Sequence, residues 1–137
     1  MAGVILDAGP LYAMLDRRDK YHSWALERLT GLRGPLLTCD AVLTEAFFLL
    51  AENARAGRQL GVYLREKLII SHFDSTSNLP QILDLMETYR NIPMSFADAC
   101  LVRMVEQNPG SAVFTLDRDF SVYRQQRRRV IPLIAPF

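Results

Sequence analysis

Five carboxylates stand out in this chain by their settings: Asp7, Glu45, Asp98, Asp117 and Asp119. Asp7 closes the apolar run Val4-Ile5-Leu6, and Gly9-Pro10 behind it forces a turn into a helix, with Pro10 placed as a first helical residue. Asp117 and Asp119 follow a second such run, Ala112-Val113-Phe114-Thr115. Asp98 stands near the start of a helix opened by Ser95, and Glu45 lies within the strongly apolar stretch Ala41–Leu50. Carboxylates gathered within a few ångströms repel and raise one another's pKa. A divalent cation removes that conflict, and an all-oxygen donor set favours Mg²⁺ or Mn²⁺ over zinc. Such an ion lowers the pKa of a bound water and neutralises charge developing on a phosphate, so the chemistry the set suits is phosphodiester hydrolysis.

Each acid also has a plainer role. Ser95-Phe96-Ala97-Asp98 fits a capping box, Asp117 can stabilise a turn, and Asp7 can help cap the helix at Pro10. Glu45 resists such an account. With apolar residues on nearly every side it is expected to be buried, where an unpaired carboxylate is expensive.

The acids meet only if the intervening elements bring them to one place. The first strand is Val4 to Leu6, followed by a helix from about Pro10 to Asp16 and a second carrying Trp24, Ala25, Leu26 and Leu29 and ending at Gly31. Leu36-Leu37-Thr38 is a short strand, and a helix begins at Asp40. Gly57 breaks that pattern, and another helix runs from roughly Arg58 to Lys67. Leu68-Ile69-Ile70 is a third strand, followed by a helix carrying Ile82, Leu83, Leu85, Met86 and Tyr89. The helix from Ser95 stops at Asn108-Pro109-Gly110, the fourth strand is Ala112 to Thr115, and Val130-Ile131 gives a last short strand before Pro132. Strands alternating with helices predict an α/β fold, a parallel sheet with helices on both faces and right-handed crossovers. In such a sheet the strand ends and the starts of the following helices share one edge, so acids from four distant segments can converge there.

The 137 residues fit one domain, half of them hydrophobic, with 16 basic against 15 acidic side chains. Bulk charge therefore names no partner. Lys20 and Lys67 are the only lysines; the remaining cations are arginines, the better bidentate phosphate ligands. Cys39 and Cys100 fall in no paired metal-ligand spacing and imply no disulfide framework. No basic region precedes an apolar signal core, and no uncharged apolar run approaches a membrane span, which leads to the expectation of a soluble cytoplasmic protein.

The ordered set Val4-Ile5-Leu6-Asp7-Ala8-Gly9-Pro10-Leu11, Thr44-Glu45-Ala46, Ser95-Phe96-Ala97-Asp98-Ala99 and Thr115-Leu116-Asp117-Arg118-Asp119-Phe120 resembles the PIN domain, and within it the VapC-like toxins of toxin–antitoxin pairs. The resemblance covers nearly the whole chain. It implies a five-stranded parallel sheet with the first strand central, in a three-layer α/β/α arrangement. It also implies a metal-dependent ribonuclease. Asp7, Glu45, Asp98 and Asp117 match the family's acidic quartet around one or two Mg²⁺ or Mn²⁺ ions, with Asp119 as an occasional fifth member. Thr115 matches a position where a small hydroxyl residue supports the site. Where many members have a hydroxyl or amide residue after the first Asp, this chain has Ala8 and Gly9, so Asp7 must be oriented from elsewhere, and Thr115 is the candidate.

Further expectations follow for the substrate and partners. Arg103, Arg118 and Arg124 are candidates for RNA phosphate contact, whereas Arg127, Arg128 and Arg129 read more simply as a solvated face. His22 and His72 are expected to be structural, and Tyr12, Tyr89 and Phe96 are assigned to packing before base stacking. The resemblance implies an antitoxin, whose C-terminal segment would pack on the first two helices and reach the acids, and a homodimer. A solitary RNA-processing nuclease and a catalytically silent binding module are the alternatives, the latter disfavoured because all four acids are present. A haloacid-dehalogenase phosphatase would need a second Asp where Gly9 stands, and a receiver domain would need a late lysine that the chain lacks.

Overall fold

The fold is built on β1 (Val4–Leu6), whose three side chains are all buried. In the computed structural model, which describes residues 3–137, the chain continues through α1 (Ala8–Leu15), α2 (His22–Thr30), β2 (Leu36–Thr38), α3 (Asp40–Leu49), α4 (Ala54–Arg65), β3 (Ile69–Ser71), α5 (Leu79–Thr88) and α6 (Phe96–Gln107). It ends with β4 (Ala112–Phe114), a 3-10 turn (Arg118–Ser121), β5 (Arg124–Gln125), β6 (Arg129–Val130) and β7 (Leu133–Ile134). β1, β2, β3, β4 and β7 form one sheet in the order β3-β2-β1-β4-β7, every pair parallel, with helices on both faces. The expected three-layer architecture with a central first strand is what the chain adopts.

Burial follows this order. β1 and β4 lie at the centre, and Ile5, Leu6, Val113 and Phe114 are fully enclosed. Strands covered by helices on both faces need continuous apolar runs, which is why these segments show no polar alternation. α6 is the most deeply set helix, with Ala99, Cys100, Leu101, Val102, Met104 and Val105 buried. Trp24 of α2 packs edge-on against Phe114, with ring centroids 5.6 Å apart. Phe120 and Tyr89 both meet the Tyr123 ring edge-on at 5.1 Å.

Several expected boundaries move. α1 begins at Ala8, because Asp7 supplies its N-cap, so Pro10 sits third in the helix. α4 runs straight through Gly57, starting at Ala54 behind the Asn53 cap. No heavy atom lies within 4 Å of the point a Cβ would occupy at Gly57, so the missing side chain leaves no packing gap. The last sheet strand is Leu133–Ile134, not Val130–Ile131. Val130 instead pairs with Arg124 in a small antiparallel hairpin, and Ile131 drops into the core beyond it. The apolar pair Val130-Ile131 is thus split, at 65% and 1% exposure.

That split is measurable. Ile131→Ala should cost about 2–5 kcal/mol in urea unfolding, and Val130→Ala within about 0.5 kcal/mol. Equal costs would put Val130 back in the core.

Candidate active site

Sheet topology delivers Asp7 and Asp117 to the same edge. Leu6 pairs with Phe114, so the residues that follow, Asp7 and Thr115, leave the sheet side by side. The Asp7 N–H donates to the Phe114 carbonyl at 3.0 Å, continuing the ladder by one residue. Thr115, fully buried, donates its hydroxyl to Asp7 Oδ2 at 2.7 Å and accepts the Asp117 N–H at 3.0 Å. One hydroxyl therefore fixes a carboxylate on β1 and the backbone beneath a carboxylate after β4. The other Asp7 oxygen, Oδ1, accepts the Ala8 N–H at 2.7 Å. The absence of a side-chain donor at Ala8 and Gly9 is made good by Thr115 and by backbone. Gly9 also lets the loop after β4 approach: a Cβ there would meet the Leu116 side chain at 3.2 Å.

Asp98 comes from the opposite side, on the first turn of α6. It forms both halves of a capping box, its N–H donating to Ser95 Oγ at 3.0 Å and its Oδ2 accepting the Ser95 N–H at 3.4 Å. Oδ2 also accepts the Tyr123 hydroxyl at 2.9 Å. The cap and a role at the site are compatible, because among the described residues Oδ1 takes no donor. Asp117 caps the following 3-10 turn through Oδ1, which accepts the Asp119 N–H at 2.9 Å. Glu45 is the correction. It is exposed, because α3 buries Val42, Ala46 and Leu50 at helical spacing and Glu45 falls one position off that stripe. The apolar residues that made it look enclosed are themselves outside, with Phe47, Phe48 and Leu49 all exposed.

Asp7, Glu45, Asp98, Asp117 and Asp119 nevertheless line one cleft of about 450 Å³, with Ala8, Gly9, Pro93, Ser95 and Leu116 completing its wall. Among the described residues no cation pairs with any of the five, since the ion pairs join Arg18 to Asp16, Arg90 to Glu87 and Arg103 to Glu106. Nor do three ligand-type side chains there already form a group able to hold a metal ion. The acids border a common space rather than meet at a point.

The PIN domain model matches residues 4–125. The chain belongs to the PIN domain family. No curated protein matches it by sequence at a significant level. Among solved structures its fold is similar to VapC20 of Mycobacterium tuberculosis, described as a Sarcin-Ricin loop cleaving toxin. The TM-score is 0.76 at 18% identity, covering 88% of this chain and 94% of that one.

The arginines of this PIN domain sit differently from expectation. Arg103 donates to Asn78 Oδ1 at 2.9 Å and to Glu106 at 3.4 Å. Arg124 donates to the backbone carbonyls of Ser121, Val122 and Tyr123. Arg118 lies over the Phe137 ring, 4.8 Å from its centroid. None of the three lines the acidic cleft. His22 takes the structural role expected of it, with Nδ1 2.7 Å from the Ala13 carbonyl, and Tyr12 donates to Asp16 at 2.7 Å. Sequence reasoning missed Tyr123, whose position among polar residues hides that it is fully buried. It also missed that the thiols of Cys39 and Cys100, both buried, meet where α3 packs on α6.

The electrostatics agree with an anionic site lacking a counter-charge. Burial pushes the Asp7 carboxyl up to about 6, against the opposing hydrogen bonds from Thr115 and Ala8, and the charges of Asp98 and Asp117 raise it further. Asp98 is also raised, first by burial, with Asp117 adding to it and the Tyr123 hydroxyl opposing. Burial and the adjacent Asp98 carboxylate push the Tyr123 hydroxyl up, so it stays a donor.

A pH dependence follows with a definite sign. Between 3.8 and about 6 the folded state holds a proton on Asp7 that the unfolded chain has lost, so stability falls as pH rises through that window. The penalty at neutral pH is about 3 kcal/mol. In chelator, Asp7→Asn should therefore be more stable than the parent at pH 7, with the gain vanishing near pH 4. An Asn variant less stable than the parent at pH 7, read from thermal midpoints, would contradict this.

Proposed function

We propose that this PIN domain is an endoribonuclease that hydrolyses RNA phosphodiester bonds with Mg²⁺ or Mn²⁺, and that it is the toxin of a toxin–antitoxin pair. The observation that carries the reading is the cleft itself: five carboxylates from four chain segments, unpaired with any cation among the described residues. The donor set fits a hard divalent ion, being all oxygen, with the Asp7 carboxyl raised first by burial and further by the neighbouring Asp98 and Asp117 charges, which a bound cation would offset. Asp7, Asp98 and Asp117 would hold it, with Glu45 and Asp119 as further ligands, for one ion or two. When bound, such an ion supplies a more acidic water and neutralises charge building on the phosphate.

The remaining steps belong to the chain. Thr115 and the Ala8 N–H hold both oxygens of Asp7 in place, and each oxygen keeps a second lone pair free to accept. Tyr123 and the Ser95 N–H hold Oδ2 of Asp98, which leaves Oδ1 for the cleft. Orientation by such outer hydrogen bonds is worth about tenfold to a hundredfold in metal affinity or activity. Glu45, exposed at the rim, adds a further carboxylate to the cleft. Among the described residues lining the cleft, these acids are the side chains able to take a proton as general base.

The toxin role is supported by the similarity to VapC20 across nearly both chains. An antitoxin segment covering the cleft, a homodimer and action in the cytoplasm belong to the same proposal. No helix of the described residues is long and apolar enough to cross a membrane.

Cleavage of end-labelled RNA tests the enzyme. Mn²⁺ should support it and EDTA abolish it. Asp98→Asn, which keeps an oxygen for the helix cap, should lower the rate by on the order of a hundredfold or more while the thermal midpoint holds. Cleavage that survives both EDTA and Asp98→Asn would sink the reading.

A further inference from the structure

The arginines set aside by the sequence occupy the most unusual backbone in the protein. β5 and β6 form a hairpin whose turn is closed by the Arg128 N–H donating to the Gln125 carbonyl at 3.2 Å. Its two central residues, Gln126 and Arg127, have φ of 52° and 64°. A turn with both central residues left-handed ordinarily takes Asn or Gly. Here the chain keeps long side chains at a position where glycine would be easier.

The hairpin is also held firmly from below. Glu106 of α6 accepts the Gln126 N–H at 2.7 Å, Tyr89 accepts the Arg124 N–H at 3.0 Å, and the Gln125 amide donates to the Val130 carbonyl at 3.1 Å. Its three outward cations, Arg127, Arg128 and Arg129, are exposed, and among the described residues they pair with no acid. This is a rigid support under unpaired charge, whereas Arg103 and Arg124 are consumed by internal bonds.

The hairpin is joined to the acidic cleft through two routes. Tyr123, the residue before β5, donates to Asp98. Glu106, under the turn, lies eight residues further along the same helix as Asp98, about 12 Å by helical rise. A single strand with one phosphate in the cleft needs only a few more nucleotides to reach the turn. The matched family region ends at Gln125, so these three arginines lie beyond it.

We infer that the β5–β6 hairpin is an arm that grips the phosphate backbone of single-stranded RNA beside the cleavage site, through Arg127, Arg128 and Arg129. The inference rests on the nuclease reading and adds the surface that holds the substrate. Contacts of this kind carry affinity and position rather than sequence choice, and they are sensitive to salt. Three lost contacts to a single strand should flatten the slope of log affinity against log salt by about 2.

The test compares the parent with R127A/R128A/R129A on a twelve-nucleotide RNA and on a trinucleotide, with Mn²⁺. The expected result is a KM raised about tenfold on the longer RNA, a flatter salt dependence, and unchanged kcat and thermal midpoint. The trinucleotide, too short to reach the arm, should show no difference. Three lysines at these positions should restore most of the affinity.

Arg127→Gly gives an independent readout. It relaxes the turn, so the thermal midpoint should rise while RNA affinity falls; a purely structural arginine would not lose affinity as stability increases. If the parent cleaves but the triple variant keeps its KM and salt slope, the inference falls and the nuclease reading stands. If the parent neither binds nor cleaves RNA, both fall. If a poly-glutamate peptide binds through the three arginines while RNA binding is untouched, the arm serves an acidic protein segment and the inference is overturned.

Discussion

A single hydroxyl ties the site together. Thr115 donates to Asp7 and accepts from the Asp117 N–H, so the end of the central strand and the start of the loop after β4 are fixed to each other by one buried side chain. The parallel register of β1 and β4 puts the two segments within reach, and Thr115 sets the distance. This arrangement buries a carboxylate with two hydrogen bonds and no cation. Two such bonds do not offset the burial, which is why the Asp7 carboxyl is raised and not lowered.

That imbalance explains the form of the rest. Asp98 is held across the cleft by a helix cap and by Tyr123, and both are groups that orient a carboxylate without neutralising it. Glu45 stays in solvent, where unpaired charge costs little, and Asp119 is only half-buried. The protein is thus built with more negative charge at one sheet edge than it compensates. In a folded domain of marginal stability such an arrangement persists where function needs it.

Much of this was legible in the residues. Apolar three-residue runs ending in Asp or Thr located β1 and β4, and the capping pattern at Ser95 located the start of α6, because each depends on local chemistry. The alternation of strands and helices then placed three of the acids at one edge. Glu45 was misjudged because Ala41–Leu50 is apolar all round, which gives no indication of which stripe faces inward; only the packing of Val42, Ala46 and Leu50 decides it. The C-terminal strand was misplaced for the same reason. Val130 and Ile131 are equally suited to a strand, and the hairpin that turns one outward is set by Glu106 and Tyr89, far away in sequence. The internal hydrogen bonds of Arg103 and Arg124 were not visible, because a sequence does not show such partners.

The claim that this edge is short of positive charge is tested most directly by calorimetric titration of Mn²⁺ into the chelator-stripped protein at pH 5.5 and pH 7.5. The account predicts binding at both, tighter at pH 7.5, with proton release at the lower pH that disappears in Asp7→Asn. No heat of Mn²⁺ binding at either pH, or binding indifferent to Asp7, would contradict it.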